Sequence, residues 1–264
     1  MWVCPKPPGV AVIEEIDRGL ENDEFFLEYM PFITLTDRKC VGCEALVRWN
    51  HPTNGVLYPG VFIPMLRHRF TYERMTQWVL DRVYFDLRRW LHHNKQGFVS
   101  INISCECCSA IALLIHDAPN IGLVRASSQV VFELLEDDTM DIMAVSSLKS
   151  IRSLGVRVAL DDVNLGDGAN LLVLAQCPFD ILKLGMDLIR QIKEGLPTPE
   201  WVYPVEAFIN HSSIEVIAEG VENEYQVRVL TYHGINLGQG YLFSKALPPL
   251  DFMAYYKEAN RVRS

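Results

Sequence analysis

The sequence predicts an α/β fold, a TIM-like (β/α)8 barrel with an antiparallel first strand, and three observations carry that prediction. About eight short apolar runs rich in Val, Ile and Leu alternate with helical stretches, the pattern of a parallel sheet covered on both faces. Polar residues capable of chemistry sit near the ends of nearly every run, as at a barrel mouth. An open doubly wound sheet, the competing arrangement, concentrates them at one switch point. The first two runs are joined by a turn too short for a crossover, so they pair antiparallel.

The elements follow in order. FFLEYMPFI (25–33) reads as a strand, TDRK (36–39) as a turn, and CVGCEALVRW (40–49) as the returning strand. Met75, Trp78, Val79, Val83, Leu87, Trp90 and Leu91 then recur at three- and four-residue steps, which makes one long amphipathic helix with His92 and His93 at its end. The later strands are GFVSINIS (97–104), VVFELLE (130–136), VRVALDD (156–162), FDILKL (179–184), IEVIAEGVE (214–222) and INLGQGYLF (235–243). Most of the intervals between them fit a helix and a return to a parallel strand. GLPTPEWVYP (195–204), with its three prolines, reads as a loop insertion rather than a linker. The whole chain, 1–264, is therefore expected to be one domain with its core over about residues 10–250.

Composition narrows the function classes. With 49% hydrophobic and 22% charged residues the chain has matter for a full core and is no disordered segment. A net charge of −9 argues against duplex nucleic acid as a partner, because that needs a basic footprint. No run approaches the roughly 20 apolar residues of a membrane span, so no membrane contact by this chain is expected. MWVCPKPPGV lacks the pattern of a signal peptide. The expected location is the cytoplasm, either alone or as the cytoplasmic domain of a longer protein.

Seven cysteines include two C-x-x-C spacings, Cys40/Cys43 and Cys105/Cys108. Their separation is far longer than the roughly 15–20 residues of a zinc ribbon. Reduced, buried thiols are the better reading beside the zinc alternative. No phosphate-binding G-x-x-x-x-G-K-[ST] loop, nucleophile elbow or H-E-x-x-H motif occurs.

The strand ends carry the chemistry. Glu44, Asn102, Glu133, Asp161, Asp162 and Glu219 supply carboxylate and amide oxygens. Taken singly, Asp161–Asp162 reads as a helix cap, Asn102 as a turn residue and Lys183 as a solvated lysine. Together, converging carboxylates need cations between them, and an all-oxygen set selects Mg²⁺ or Mn²⁺. Two ions sharing Asp161 as a bridge would suit phosphoester hydrolysis. Lys183 would orient the attacking water, and Arg48, on the face of Glu44, would grip a phosphate.

These residues resemble the motifs of the EAL domain family, bacterial cyclic di-GMP phosphodiesterases, over about residues 10–250. Glu44-Ala45-Leu46 is followed by Val47-Arg48-Trp49 and His51-Pro52; SINIS (100–104), FELLE (132–136), ALDD (159–162), ILKL (181–184), AEGVE (218–222) and QGYLFSKALP (239–248) follow in order. The resemblance implies metal-dependent hydrolysis of cyclic di-GMP to linear pGpG, with two Mg²⁺ or Mn²⁺ as cofactors. It implies metal ligation by Glu44, Asn102, Glu133, Asp161 and Asp162, with Glu219 at the second metal or as general base. It places Lys183 on the attacking water and Gln239 nearby, Leu46 and Arg48 on substrate, and Glu136, with Glu222, in support of the loop after the double aspartate.

The sequence also departs from the family pattern. After Asp161-Asp162 it reads Val163-Asn164-Leu165-Gly166-Asp167-Gly168, where the family has F-G-[TA]-G in a shorter loop. The family's K-I-D is Lys183-Leu184-Gly185; Q-P of the first strand is Met30-Pro31; a usual Thr is Leu135; and Leu66-Arg67 replaces Ala-Glu. The implied homodimer is expected to be weakened or rearranged, because the family's loop makes dimer contacts, and the Val163–Asn170 loop to be loosely held. Two readings stay open: an active phosphodiesterase of reduced rate, or a non-catalytic cyclic di-GMP receptor or protein-interaction module.

Overall fold

The computed structural model describes residues 8–66, 69–104, 107–117, 128–135, 142–163 and 179–261. The opening helix α1 (Pro8–Glu21) precedes a long hairpin of β1 (Phe25–Thr34) and β2 (Cys40–His51). β3 (Gly55–Leu57), α2 (Pro59–Phe62), a single 3₁₀ turn (Ile63–Met65) and α3 (Arg69–His93) follow. Then come β4 (Phe98–Asn102), α4 (Cys108–Asp117), β5 (Val130–Leu135), α5 (Ile142–Ser153), β6 (Arg157–Val163) and β7 (Ile181–Leu184). The chain continues through α6 (Met186–Ile189), α7 (Val202–His211), β8 (Glu215–Ala218), α8 (Glu224–Tyr232), β9 (Leu237–Gly238) and α9 (Pro249–Ala259).

The sheet runs β1-β9-β8-β7-β6-β5-β4-β2-β3, and β1 also pairs with β2. That pairing closes an eight-stranded barrel and leaves β3 outside it. β1 runs antiparallel to both neighbours, while β2 and β4 through β9 are parallel. The short turn at 36–39 therefore does what its length requires. The three-residue β3, antiparallel to β2, was not expected from the sequence.

The inside of the barrel is filled by one residue from each strand. Phe32, Phe98, Val131, Ala159, Ile181 and Ile217 form a separate buried cluster, with Val41 and Leu237 packed against it. Phe32 and Phe98 stack at 5.2 Å between ring centroids. Gly42 has no room for a side chain, since a Cβ there would fall on the Phe98 carbonyl oxygen. Outside the strands, α3 lays Met75, Val79, Val83, Leu87, Trp90 and Leu91 into the main core, the face that the three- and four-residue periodicity marks.

Two strand expectations need correction. The run 235–243 keeps only Leu237–Gly238 as a strand. Beyond it the chain locks onto the turn after β8: Val221 N–H donates to the Gln239 carbonyl, and Leu242 N–H to the Val221 carbonyl, both at 3.0 Å. A Cβ on Gly240 would collide with the Val221 backbone. For the same reason β8 ends at Ala218 rather than at residue 222. The 195–204 segment is part loop as expected, but its last residues open α7.

Cys40 and Cys43 lie buried on β2. Burial pushes the Cys40 thiol up to about 12 and raises Cys43 further above its ordinary range, with Cys40 and Glu44 adding to the effect. Thiols so held stay protonated in the metal-free protein. Cys107 and Cys108 are also buried thiols; Cys105 lies outside the described residues. No described helix is long and apolar enough to cross a membrane.

Candidate active site

The site is the layer next above the barrel floor. Side chains along a strand alternate between faces, so the residue two positions beyond a floor residue also points inward. From Val131, Ala159, Ile181, Ile217 and Leu237 that step reaches Glu133, Asp161, Lys183, Glu219 and Gln239. On β2 the register shift beside Phe32 makes Val41 an extra residue, so the step to Glu44 starts from Gly42, which pairs with Phe32 and Phe98. One side of the barrel thus supplies apolar packing and the C-terminal mouth supplies charge.

Lys183 stands at the centre and is fully buried. Its Nζ lies 2.7 Å from Glu219, 2.9 Å from Glu133, 2.9 Å from Asp161 and 3.5 Å from Glu44. The reading of Lys183 as a solvated lysine is therefore excluded. Gln239 Nε2 donates to Glu44 at 2.8 Å and to Glu219 at 2.9 Å. Asn102 Nδ2 donates to the other Glu44 oxygen at 2.8 Å, from an exposed position at the mouth.

The electrostatics follow from burial among like charges. Burial raises the Glu133 carboxyl well above its ordinary range, against the pull of Lys183, and Glu44 and Asp161 push it further. Glu219 is pushed up to about 8 by burial, opposed by Lys183 and reinforced by Asp161 and Glu44. Burial pushes Glu44 upward too, but Lys183 and the Gln239 and Asn102 amides together hold it below its usual value. For Lys183 burial favours the neutral amine; the four carboxylates overcome it and hold the ammonium.

Glu44, Glu133 and Asp161 each bring a ligand oxygen within 4.8 Å of the others. Gln239 Oε1 is buried beside them with no hydrogen-bond partner, an oxygen left with an unmet acceptor. A set of hard oxygen donors with surplus negative charge fits a divalent cation such as Mg²⁺ or Mn²⁺.

Asp161 and Asp162 occupy an irregularity in the ladder. The β6–β7 register shifts between Leu160 and Val163, so the strand carries one extra residue, a bulge that re-aims side chains. Asp162 takes a left-handed φ of 53°, and its N–H donates to Asp161 Oδ1 at 2.9 Å. Asp161 joins Lys183; the Asp162 carboxylate lies instead against Gly185. The expectation that both side chains turn into one cluster holds for Asp161, and the bulge places Asp162 to one side.

Arg48 shares the strand with Glu44 but not its contacts. It is buried, with Nε donating to Glu28 at 2.8 Å and Nη1 to the Val47 carbonyl at 3.0 Å. Its guanidinium lies 4.7 Å from the Tyr58 ring centre. A free bidentate fork is not what the strand presents, because Glu28, diagonal to Arg48 on β1, holds one nitrogen. Leu46 lines a mostly apolar cavity of about 410 Å³ with Val47, Ile63, Tyr72 and Met75, and Glu44 and Asn102 form part of its wall. A larger groove of about 850 Å³, between Arg190 and Arg228, holds none of the clustered carboxylates.

Glu222 lies exposed, with a long ion pair to Arg190 at 4.0 Å and its N–H given to Gln226. Glu136 and the loop from Asn164 lie outside the described residues; Val163 itself is fully buried. Glu28 and Tyr58 were not singled out from the sequence. The β1–β2 pairing sets Phe26 opposite Arg48 and Leu46 opposite Glu28, so a diagonal cross-strand partner was the signal available for Glu28.

A family model described as EAL domain matches residues 13–246. An uncharacterised protein of Mycobacterium tuberculosis is 34% identical over 245 residues, covering 89% of this chain and 78% of that protein. The cyclic di-GMP phosphodiesterase NbdA of Pseudomonas aeruginosa is 32% identical over 244 residues, covering 89% of this chain and 30% of that protein. Among solved structures, the EAL enzyme Bd1971 with cAMP and cyclic-di-GMP bound superposes with a TM-score of 0.83 at 29% identity, covering 94% of this chain and 69% of that one. The PaMucR phosphodiesterase in complex with c-di-GMP gives a TM-score of 0.79 at 27% identity, covering 92% of this chain and 99% of that one.

Proposed function

Since the chain belongs to the EAL domain family, we propose that it is a phosphodiesterase that hydrolyses cyclic di-GMP to linear pGpG with two Mg²⁺ or Mn²⁺ ions. The observation that carries this reading is the convergence of Glu44, Glu133, Asp161 and Glu219 on one buried ammonium. So much negative charge behind an apolar wall is expensive for a structural core and useful for binding cations.

Glu44, Glu133 and Asp161 would hold the cations, with Asn102, Asp162 and the unpartnered oxygen of Gln239 within the same mouth. The ions supply Lewis acidity toward the phosphate oxygens and a nucleophile at neutral pH. The protein's part is positioning and proton handling. Lys183 Nζ, held among four carboxylates, would turn one of its three N–H donors to an attacking water once a cation takes over one of those carboxylates. Glu219 lies 2.7 Å from Lys183 and would serve as the general base for that water. Water oxygen bonds to phosphorus, the bond from phosphorus to the 3′ oxygen breaks, and that oxygen leaves with a proton. The ring opens to one linear dinucleotide with a 5′ phosphate.

Leu46 and its cavity offer an apolar seat for a base beside the reacting phosphate, and Arg48 a cation at its edge. The further expectations, a homodimer and a cytoplasmic site of action, belong to the same reading.

The test is incubation with cyclic di-GMP and Mn²⁺ or Mg²⁺, followed by product analysis. Wild type should yield pGpG, and Glu44→Ala should give none while keeping the circular dichroism of the barrel. Binding of the dinucleotide without any product at high protein concentration would establish a receptor instead.

A further inference from the structure

Among the described residues, five buried side-chain atoms have no hydrogen-bond partner. Three are nitrogens, on Trp90, Arg157 and Trp201; the two oxygens are Gln239 Oε1 and Ser100 Oγ. Gln239 belongs to the carboxylate cluster, and Ser100 faces the same interior. Phe98 is part of the barrel floor, so Ser100, two residues further along β4, also points inward. It pairs in register with Glu44 on β2 and with Val131 on β5. Glu133 is the next inward residue after Val131.

A buried hydroxyl without a partner costs free energy. Serine usually avoids that cost by turning its O–H to whatever acceptor is near. Ser100 is 1% exposed, so solvent does not serve it. Its hydroxyl lies close enough to Glu133 to favour the ionised carboxylate, yet outside hydrogen-bond geometry. Glu133 is turned to Lys183 instead, with Oε2 accepting from Nζ at 2.9 Å. A divalent cation held by Glu44, Glu133 and Asp161 would compete with that ammonium for the same oxygens.

We infer that Ser100 is a positioning residue for the cation site: its hydroxyl takes the Glu133 carboxylate as acceptor when a divalent cation draws Glu133 off Lys183, and so holds that ligand in place. The inference rests on the reading of the carboxylate cluster as a site for divalent cations. It gives β4 a second part in the site, one inward step below Asn102, and it gives the unpartnered hydroxyl a partner that the cation-free arrangement withholds.

The test is calorimetric titration with Mn²⁺, with thermal unfolding in EDTA alongside. Ser100→Ala should weaken Mn²⁺ binding about tenfold or more, the range for partners that orient ligands. In EDTA the same variant should keep or raise Tm, because it removes a buried hydroxyl that has no partner there. A serine that only supports the core would lower Tm and affinity together. Ser100→Cys keeps nearly the same volume but offers only a weak donor, so it should lose Mn²⁺ affinity as the alanine does. Unchanged Mn²⁺ affinity in Ser100→Ala overturns the inference. So does a lower Tm in EDTA, or wild-type affinity in Ser100→Cys, which would trace the alanine's loss to a void. Wild-type protein that takes up no Mn²⁺ overturns the cation reading itself, and the two failures are told apart by that first titration.

Discussion

Gln239 Nε2 donates to Glu44 Oε2 at 2.8 Å, joining side chains of β2 and of the residue after β9 across the antiparallel strand that separates them. The same amide nitrogen reaches Glu219 at 2.9 Å. One neutral side chain thus spaces two carboxylates that would otherwise repel, and it does so where the barrel closes.

Replacing that spacer should damage the site and spare the fold. In Gln239→Ala, Glu44 and Glu219 lose a shared donor, and turnover of cyclic di-GMP should fall about 10–100-fold, as for other partners that orient ligands. Steady-state kinetics and circular dichroism measure both halves. A variant with wild-type kcat would show that Lys183 and Asn102 are enough to fix Glu44.

Lys183 tests the charge balance. It is fully buried among four carboxylates, and removing one member of such a set leaves uncompensated buried charge, at a cost of about 3–5 kcal/mol. Lys183→Met should therefore lower the urea midpoint sharply in EDTA. Added Mn²⁺ should restore part of the loss, because a cation replaces the missing ammonium. A midpoint in EDTA equal to wild type would mean that the carboxylates take up protons at no cost to folding.

The barrel was legible because its signals are local and repeat: buried apolar runs, helical periodicity in α3, a four-residue turn that forces the antiparallel start. The inward set Glu133, Asp161, Lys183, Glu219 and Gln239 was legible as strand-end chemistry for the same reason. What sequence spacing did not carry was direction at irregular points. Asp161 and Asp162 are adjacent and alike in type, yet a one-residue bulge sends one to Lys183 and the other to Gly185. Arg48 sits four residues from Glu44, but Glu28 and Tyr58, from β1 and the start of α2, decide where its guanidinium lies. The short β9 reflects the interlock of 239–242 with Val221, a contact between segments that neither segment announces.

Acid and base should act on metal-free protein through Glu219. Its carboxyl is raised from 4.5 to about 8 on folding. A raised pKa stabilises the fold fully below the unfolded value, and that stability is lost as pH climbs to the folded value. Glu133 is raised as well, so it acts in the same sense. Tm in EDTA should therefore decline between about pH 5 and pH 8, and Glu219→Gln, which cannot ionise, should flatten the slope. A slope of equal size in the variant would move the effect to Glu133 or elsewhere.

Arg48 separates substrate contact from chemistry. Its Nε and Nη1 are held by Glu28 and the Val47 carbonyl, and its flat face lies on Tyr58, so the whole group is fixed next to Val47, which lines the Leu46 cavity. Lysine carries the charge but neither the flat face nor the fork. Arg48→Lys should thus raise KM for cyclic di-GMP several-fold while kcat changes little, since the Lys183 cluster is untouched. Hydrolysis of bis(p-nitrophenyl) phosphate, which has no base to seat, should be nearly unaffected. Parallel kinetics on both substrates decide the point: a fall in kcat for both would place Arg48 on the reacting phosphate, whereas a KM effect confined to the dinucleotide fits a residue that holds the substrate beside the carboxylates.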